Sequence, residues 1–460
     1  MRPSARLQAV IEILDALGST EQPVDRFLRD WFRARRYAGS KDRAAVAELV
    51  FTIQRRRSSL AWRMGGDAPR RLAIAAMLLE KDTAAELDIL FDGSQYGPAV
   101  LSDDERSAIA SPPRADAPLF VLGEFPPFLE AELRRAFPSH PVIPGEAASA
   151  ARPGTHSEAS AALEVGPGSR SAEDALLGRD DSYLLAEMQA LQSRAPIDLR
   201  VNTLKTTRDK LAEALHTEGF VAEPTPYSPV GLRLPPGEGL SKLSATSLYE
   251  GGAFEFQDEG SQIAALLCGA KPGMRVLDMA AGGGGKTLAL AAVMQNQGEI
   301  VAYDVDRMRL VPLEPRAARA GVTIIATGPP GGEFDVVLVD SPCSGTGTWR
   351  RQPELRWRLT PDRLAELNAL QDDLLAKAAF SVAPGGRLVY VTCSLLPVEN
   401  EDRIFHFRAD RPDFAVVPAA EVWRQAVGTA PPPGMDEFFR AGPLKTGTDG
   451  FFTAILQRAR

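Results

Sequence analysis

From residue 274 to the end, the chain repeats one unit, and that repetition restricts the fold more than any other feature. MRVLD (274–278), EIVAYD (299–304), VTIIAT (322–327), FDVVLVD (334–340) and GRLVYVTC (386–393) are short, apolar and rich in Val and Ile. Helical stretches separate them. The clearest begins at Thr360-Pro361, a good N-cap followed by a residue suited to the first helical position. Leu364, Leu367, Leu374, Leu375 and Ala378 then give it one apolar face. Buried strands alternating with helices predict an α/β domain with a parallel, doubly wound sheet. FFTAILQR (451–458) is a last strand able to close an edge. We place this domain at residues 263–460.

The upstream chain reads differently. Leu7, Val10, Ile11 and Leu14 recur at helical spacing, as do Val46, Leu49, Val50 and Ile53, and no strand-like alternation appears. Residues 1–120 are therefore expected to form a helical module. Residues 121–182 should hold a helix and then a flexible linker, because 138–180 are rich in Pro, Gly, Ser and Ala and short of large apolar groups. LRVNTL (199–204) and GLRLP (231–235) read as strands around a helix at 207–219, giving a small α+β, RNA-recognition-like unit over 183–262.

Composition removes several classes. The chain is 44% hydrophobic and 24% charged, and its apolar runs break before the ~20 residues needed to span a membrane. Residues 1–30 lack the apolar core of a signal peptide. Three cysteines, at 268, 343 and 393, form no disulfide framework and fit a reducing cytoplasm. The four His (140, 156, 216, 406) are not at metal-ligand spacing, so no metal site is expected. We expect a cytoplasmic monomer without membrane contact. Net charge is −8, yet residues 26–71 carry thirteen Arg and Lys against four acids. That cluster is either a solvated helical face or a nucleic-acid footprint.

The stretch LDMAAGGGGKTLALAA (277–292) follows a strand and opens a helix, where parallel sheets bind ligands. GKT suggests a phosphate loop, but the glycine required six residues before Lys286 is Ala280. EIVAYD ends in Asp304, placed at a strand tip to accept hydrogen bonds from two ribose hydroxyls. A glycine loop with a ribose acid and no dinucleotide fingerprint points to S-adenosylmethionine. A plain tight turn is the structural alternative.

Cys343 in DSPCSGTG (340–347) and Cys393 in VTCSL (391–395) follow the fourth and fifth strands, at the same sheet edge. Cys268 lies on an apolar helical face and reads as core. Beside a methyl donor, a thiol has a chemical use. C5 of a pyrimidine is a poor nucleophile, and a thiolate adding to C6 makes it an enamine carbon able to attack a methyl sulfonium. Loss of the C5 proton and elimination of the thiol complete the cycle. Charge developing at the far side of the ring calls for a hydrogen-bonding group, and Asp340 is three residues from Cys343.

DMAAGGGGKTLALAA, DSPCSGTGTWRRQPELRW, VTCSLLPVENE and the terminal DGFF resemble the Sun-type, RsmB-like RNA cytosine-5 methyltransferases, over roughly residues 195–460. The resemblance implies a class I methyltransferase sheet, S-adenosylmethionine as cofactor, and RNA, ribosomal RNA in particular, as substrate. It implies Cys393 as nucleophile and Cys343 as the residue that assists product release. It implies that Ala280, Ala281, Gly282, Gly283, Gly284, Gly285, Lys286, Asp304 and Asp340 contact the cofactor or the target base, and that the element ending at Asn202 lies near the catalytic site. The N-terminal helices look like a shortened NusB-like RNA-binding domain. Two departures stand out. Gly282 and Gly283 replace the family's Pro or Ala, which suggests a looser loop. The family's acid after the third strand is missing from ATGPPGGEFD (326–335), which bears on cofactor affinity. A non-catalytic RNA-binding assembly factor is the alternative reading.

Overall fold

A computed structural model describes residues 1–79, 83–112, 116–138, 181–236 and 239–460. The expected linker at 139–180 lies outside the described residues.

The C-terminal half forms a mixed eight-stranded sheet. Its strands are β5 (Arg275–Asp278), β6 (Glu299–Ala302), β7 (Ile325–Thr327), β8 (Phe334–Asp340), β9 (Val382–Thr392), β10 (Phe414–Val416), β11 (Phe439–Ala441) and β12 (Phe451–Arg458). The order β7-β6-β5-β8-β9 is parallel throughout, and β12 joins β9 antiparallel. Alternation along the strands explains the burial. Val276, Ile300, Val336, Leu338 and Val389 face one apolar cluster, while Leu277, Val301, Val337, Val339 and Leu388 face the other. Both faces are covered by helices, so nearly every strand residue is apolar. Thr360 caps the helix Pro361–Phe380 by accepting from the Arg363 amide. The third strand is shorter than its sequence suggests, because only Ile325–Thr327 pair with β6.

Ahead of it lies an antiparallel sheet ordered β2-β3-β1-β4: β1 (Ile197–Val201), β2 (Glu223–Pro224), β3 (Gly231–Leu234) and β4 (Phe254–Phe256). The helix Arg208–Thr217 buries Leu211 and Leu215 against Leu199 and Leu232. The N-terminal module is helical, as its periodicity predicts, around Val10, Ile13, Val50, Ile53 and Ile74.

The helical module docks on the segment that follows the Cys343 loop. Glu354 accepts from the buried Val24 amide at 3.0 Å. The Trp357 indole donates to Gln54 O at 2.6 Å, and Arg358 donates to the carbonyls of Glu21 and Gln22. Arg356 is fully buried, stacked on Trp349 at 4.6 Å, and donates to Arg55 O. Helix ends and loop carbonyls of one domain are thereby satisfied by side chains of the other. Glu354→Ala leaves the Val24 amide unpaired inside this interface. Denaturant unfolding should show a loss of about 1–3 kcal/mol.

Candidate active site

β5 is the switch point of the sheet: the chain leaves it toward β6 and β7, then returns to β8 on its other side. The loops after β5, β8 and β9 therefore open on one edge. They line a cleft of about 1090 Å³ that runs from Ala280 past Asp340, Cys343 and Cys393 to Arg55 and Arg194.

The glycine loop is held by its surroundings. Gly282 and Gly284 adopt φ of 51° and 81°, conformations that favour glycine. A Cβ on Gly284 would lie 2.2 Å from the Leu313 side chain, so Gly284 faces the protein and does not line the cleft. Ala280, Ala281, Gly282, Gly283, Gly285 and Lys286 do. Gly282 N donates to Asp304 at 3.0 Å, Gly284 N donates to Ala281 O, and Arg316 donates to Gly283 O. The looser loop suggested by its extra glycines is thus not found; its backbone is tied at three points.

Asp304 is buried, and both of its oxygens have protein partners. Oδ2 accepts from Gly282 and lies 3.2 Å from Arg309; Oδ1 accepts from Asp306 N at 3.0 Å. It shapes the loop as well as facing a smaller cavity of about 390 Å³ that it shares with Ala280, Val305, Pro330 and Pro342. The end of β7 gives that cavity no acid, but Asp373, from the helix Pro361–Phe380, stands at its wall.

Lys286 sits in the first turn of the helix Gly285–Val293 and is almost fully buried. Its ammonium meets Asp340 at 2.7 Å. Burial alone would lower its proton affinity, but the charge and the hydrogen bond of Asp340 outweigh it, so Lys286 is held in its charged form. Asp278, at the end of β5, has its carboxyl pushed up to about 7 by burial, although Thr287 donates to it at 2.6 Å.

The two thiols converge. Cys343 Sγ and Cys393 Sγ are 3.4 Å apart, although 50 residues separate them in sequence. Cys343 has its thiol pushed well up, first by its hydrogen bond to Cys393 and then by burial. Cys268 is fully buried core, as its helical face predicts.

The element ending at Asn202 reaches the cleft through Ile197 and Asp198. Asn202 itself is buried, donating to Gly252 O and Ala320 O and so fastening the small sheet to the large domain. One sequence expectation is corrected by packing. Much of the basic cluster serves the fold. Arg63, Arg70 and Arg71 donate to backbone carbonyls, Arg29, Arg33 and Arg57 pair with nearby acids, and Arg35 stacks on Trp31 at 3.8 Å. Arg55 reaches the cleft, as do Arg194, Arg309, Arg316, Arg350 and Arg351 from other segments that charge counting did not single out.

The residues fit an S-adenosylmethionine-sized ligand. Cβ atoms on Gly283 and Gly285 would meet only the tips of Arg316 and Gln257, so the loop backbone faces the cleft bare. The first helical turn presents unpaired amides there. Gln257 Oε1 is buried, lines the cleft and has no protein partner.

A doubly wound sheet with strand order β7-β6-β5-β8-β9-β12-β10, a glycine loop at its switch point and an acid at the next strand tip defines a class I, S-adenosylmethionine-dependent methyltransferase fold. Residues 265–457 match the model of the 16S rRNA methyltransferase RsmB/F family, and residues 184–237 match that of the RsmF/B-like ferredoxin-like domain. The chain belongs to this Sun/RsmB-type family. A probable ribosomal RNA small subunit methyltransferase B of Synechocystis sp. is 36% identical over 273 residues, which cover 57% of this chain and 60% of that protein. A methyltransferase homolog from Pyrococcus horikoshii has 31% identity and a TM-score of 0.51 over 60% of this chain and 91% of that one. The crystal structure of PH0851 shares the fold over 100% of this chain and 99% of its own, with a TM-score of 0.70 and 24% identity.

Asp278 gives the site a pH signature. The folded chain holds this proton up to about pH 7, whereas the unfolded chain loses it near 3.8. The folded state binds more protons between those values, so this group costs stability as pH rises through that window. Asp278→Asn should remove that part of the slope. Thermal melts at the two ends of that window should show the variant gaining on the parent at the higher pH.

Proposed function

We propose that the protein methylates C5 of a cytosine in RNA, with small-subunit ribosomal RNA as its substrate. The observation that carries this reading is the pair of thiols 3.4 Å apart, at the mouth of a glycine loop whose lysine is fixed to Asp340. The family match and the relatives' small-subunit specificity support the choice of RNA.

Bound along residues 280–286, S-adenosylmethionine supplies an electrophilic methyl group. Cys343 retains its proton, and Cys393, 3.4 Å away, is the thiol that gives its proton to water and adds to C6. Asp340, held by Lys286, lines the cleft where the ring must lie and can accept from the cytosine amino group, while the Lys286 ammonium beside it faces the edge that gains negative charge. Once the Cys393 sulfur is bonded to carbon, the largest cause holding the proton on Cys343 is gone. Cys343 can then lose that proton to water and take the one on C5. The electrons of the C5–H bond re-form the ring double bond, and the C6–S bond breaks. Arg55, Arg194 and Arg351 along the cleft supply phosphate contacts.

Labelled methyl transfer into RNA, followed by bisulfite sequencing, tests the activity. Cys393→Ala should abolish both methylation and any covalent complex. Cys343→Ala should leave addition intact but impair elimination, so a methylated protein–RNA adduct survives a denaturing gel and vanishes in the double variant. An adduct from Cys393→Ala alone reverses the assignment, and no adduct in either leaves two structural thiols. Asp304→Ala should weaken cofactor binding, since it frees Gly282 N and removes a charged acceptor for hydrogen bonds worth roughly 1.5–3 kcal/mol each. Calorimetry with S-adenosylmethionine reads this, and unchanged affinity removes Asp304 from the site.

A further inference from the structure

The two cysteine loops are not in contact by chance of folding; a third segment holds them. The turn Pro397–Glu399 and Asn400 follow the Cys393 loop and pass beneath both thiols. Glu399 is fully buried. Its Oε1 accepts from Ser344 N at 2.8 Å and from Gln371 Nε2 at 3.0 Å. Its Oε2 accepts from the hydroxyls of Ser344 and Ser394. Ser344 immediately follows Cys343, and Ser394 immediately follows Cys393.

The other neighbour of each cysteine is held as well. Gln371 also donates to Pro342 O at 3.0 Å, just before Cys343. Asn400 accepts from Thr392 Oγ1 and donates to Ser394 O at 2.9 Å, which brackets Cys393. One carboxylate thus receives four donors from both loops and from the helix Pro361–Phe380. In a dry interior, removing such an acceptor leaves several donors unpaired, so the loops must move to find others.

We infer that Glu399 is a positioning residue that sets the distance between the two active-site thiols, and through it the hand-over from C6 addition by Cys393 to proton removal by Cys343. This rests on the reading of the thiols given above. Glu399 itself touches neither thiol in the described contacts; it acts through Ser344 and Ser394, and its charge adds to what keeps the proton on Cys343.

The test separates spacing from chemistry. Phenylarsine oxide bridges two thiols only when they are close, and the second bond is gained through effective concentration. Titrated on the full chain without RNA, Glu399→Ala should lose roughly 100-fold in affinity for this probe. Glu399→Gln keeps the length and an acceptor for Ser344 N, and should retain most of it. In the methylation assay Glu399→Ala should lower kcat by roughly 100-fold at unchanged KM for RNA and accumulate the covalent adduct. In a Cys343→Ala background it should add no further loss. If Glu399→Ala fails to fold, Ser394→Ala, which cuts only the arm to the Cys393 loop, should still weaken arsenical binding and accumulate adduct. Unchanged arsenical affinity in a folded Glu399→Ala or in Ser394→Ala overturns the inference, as does an additive loss with Cys343→Ala. A parent protein that binds the arsenical tightly yet methylates no RNA sinks the proposed function while leaving the spacing role standing.

Discussion

The ion pair between Lys286 and Asp340 joins everything else in the site. It links the helix that opens after β5 to the tip of β8, 54 residues later. The ammonium is nearly inaccessible to water, so removing its partner would strand a buried charge at a cost of roughly 3–5 kcal/mol. The pair therefore fixes the glycine loop against the strand that leads into the Cys343 loop. Lys286 also stands over the Phe451 ring at 5.4 Å, which brings the terminal DGFF segment to the site wall.

Around that point the chain uses backbone where a side chain would be in the way. Gly347 and Gly450 approach so closely that a Cβ on Gly347 would come within 2.2 Å of Gly450 O. Gly347 N donates to Cys393 O and Gly450 N to Gly347 O, two hydrogen bonds that lead from the Cys393 loop to the start of β12. Arg350 and Arg351 then pair with Asp449 and Asp258, drawing the small antiparallel sheet against the same loop. The cofactor loop, both cysteine loops and the ferredoxin-like unit are thus one continuous polar assembly laid over an apolar sheet.

The helical module contributes position. Its contacts with residues 354–358 are mostly side chains capping backbone groups across the interface, beside an apolar cluster in which Leu119, Phe125 and Leu133 meet Trp349, Leu359 and Leu396. Arg55 illustrates the economy of its basic residues. Its carbonyl accepts from Arg356, its guanidinium stacks near Phe51 at 5.5 Å, and its side chain still lines the cleft. Where most basic groups near it neutralise acids or bond to carbonyls, Arg55 is left facing the cleft.

The sequence by itself determined the sheet and the loop. Alternating Val- and Ile-rich runs cannot be buried on both faces except in a parallel layered fold, and Thr360 before Pro361 sets a helix start that tertiary packing has no reason to move. The strand tips 278, 304, 340 and 393 could therefore be placed on one edge before any coordinates. What the sequence did not contain was distance between residues far apart in the chain. The 3.4 Å between Cys343 and Cys393, the pairing of Lys286 with Asp340 and the burial of Glu399 beneath both loops all depend on strand register, which no local pattern encodes. The same reason hid the role of Asn202, whose amide ties the small sheet to the end of the helix Leu313–Ala320, and overstated the basic cluster, whose partners lie partly on its own helices and partly on others. Charge and periodicity are properties of a segment. Which charges face water, and which thiol keeps its proton, are properties of what packs against it.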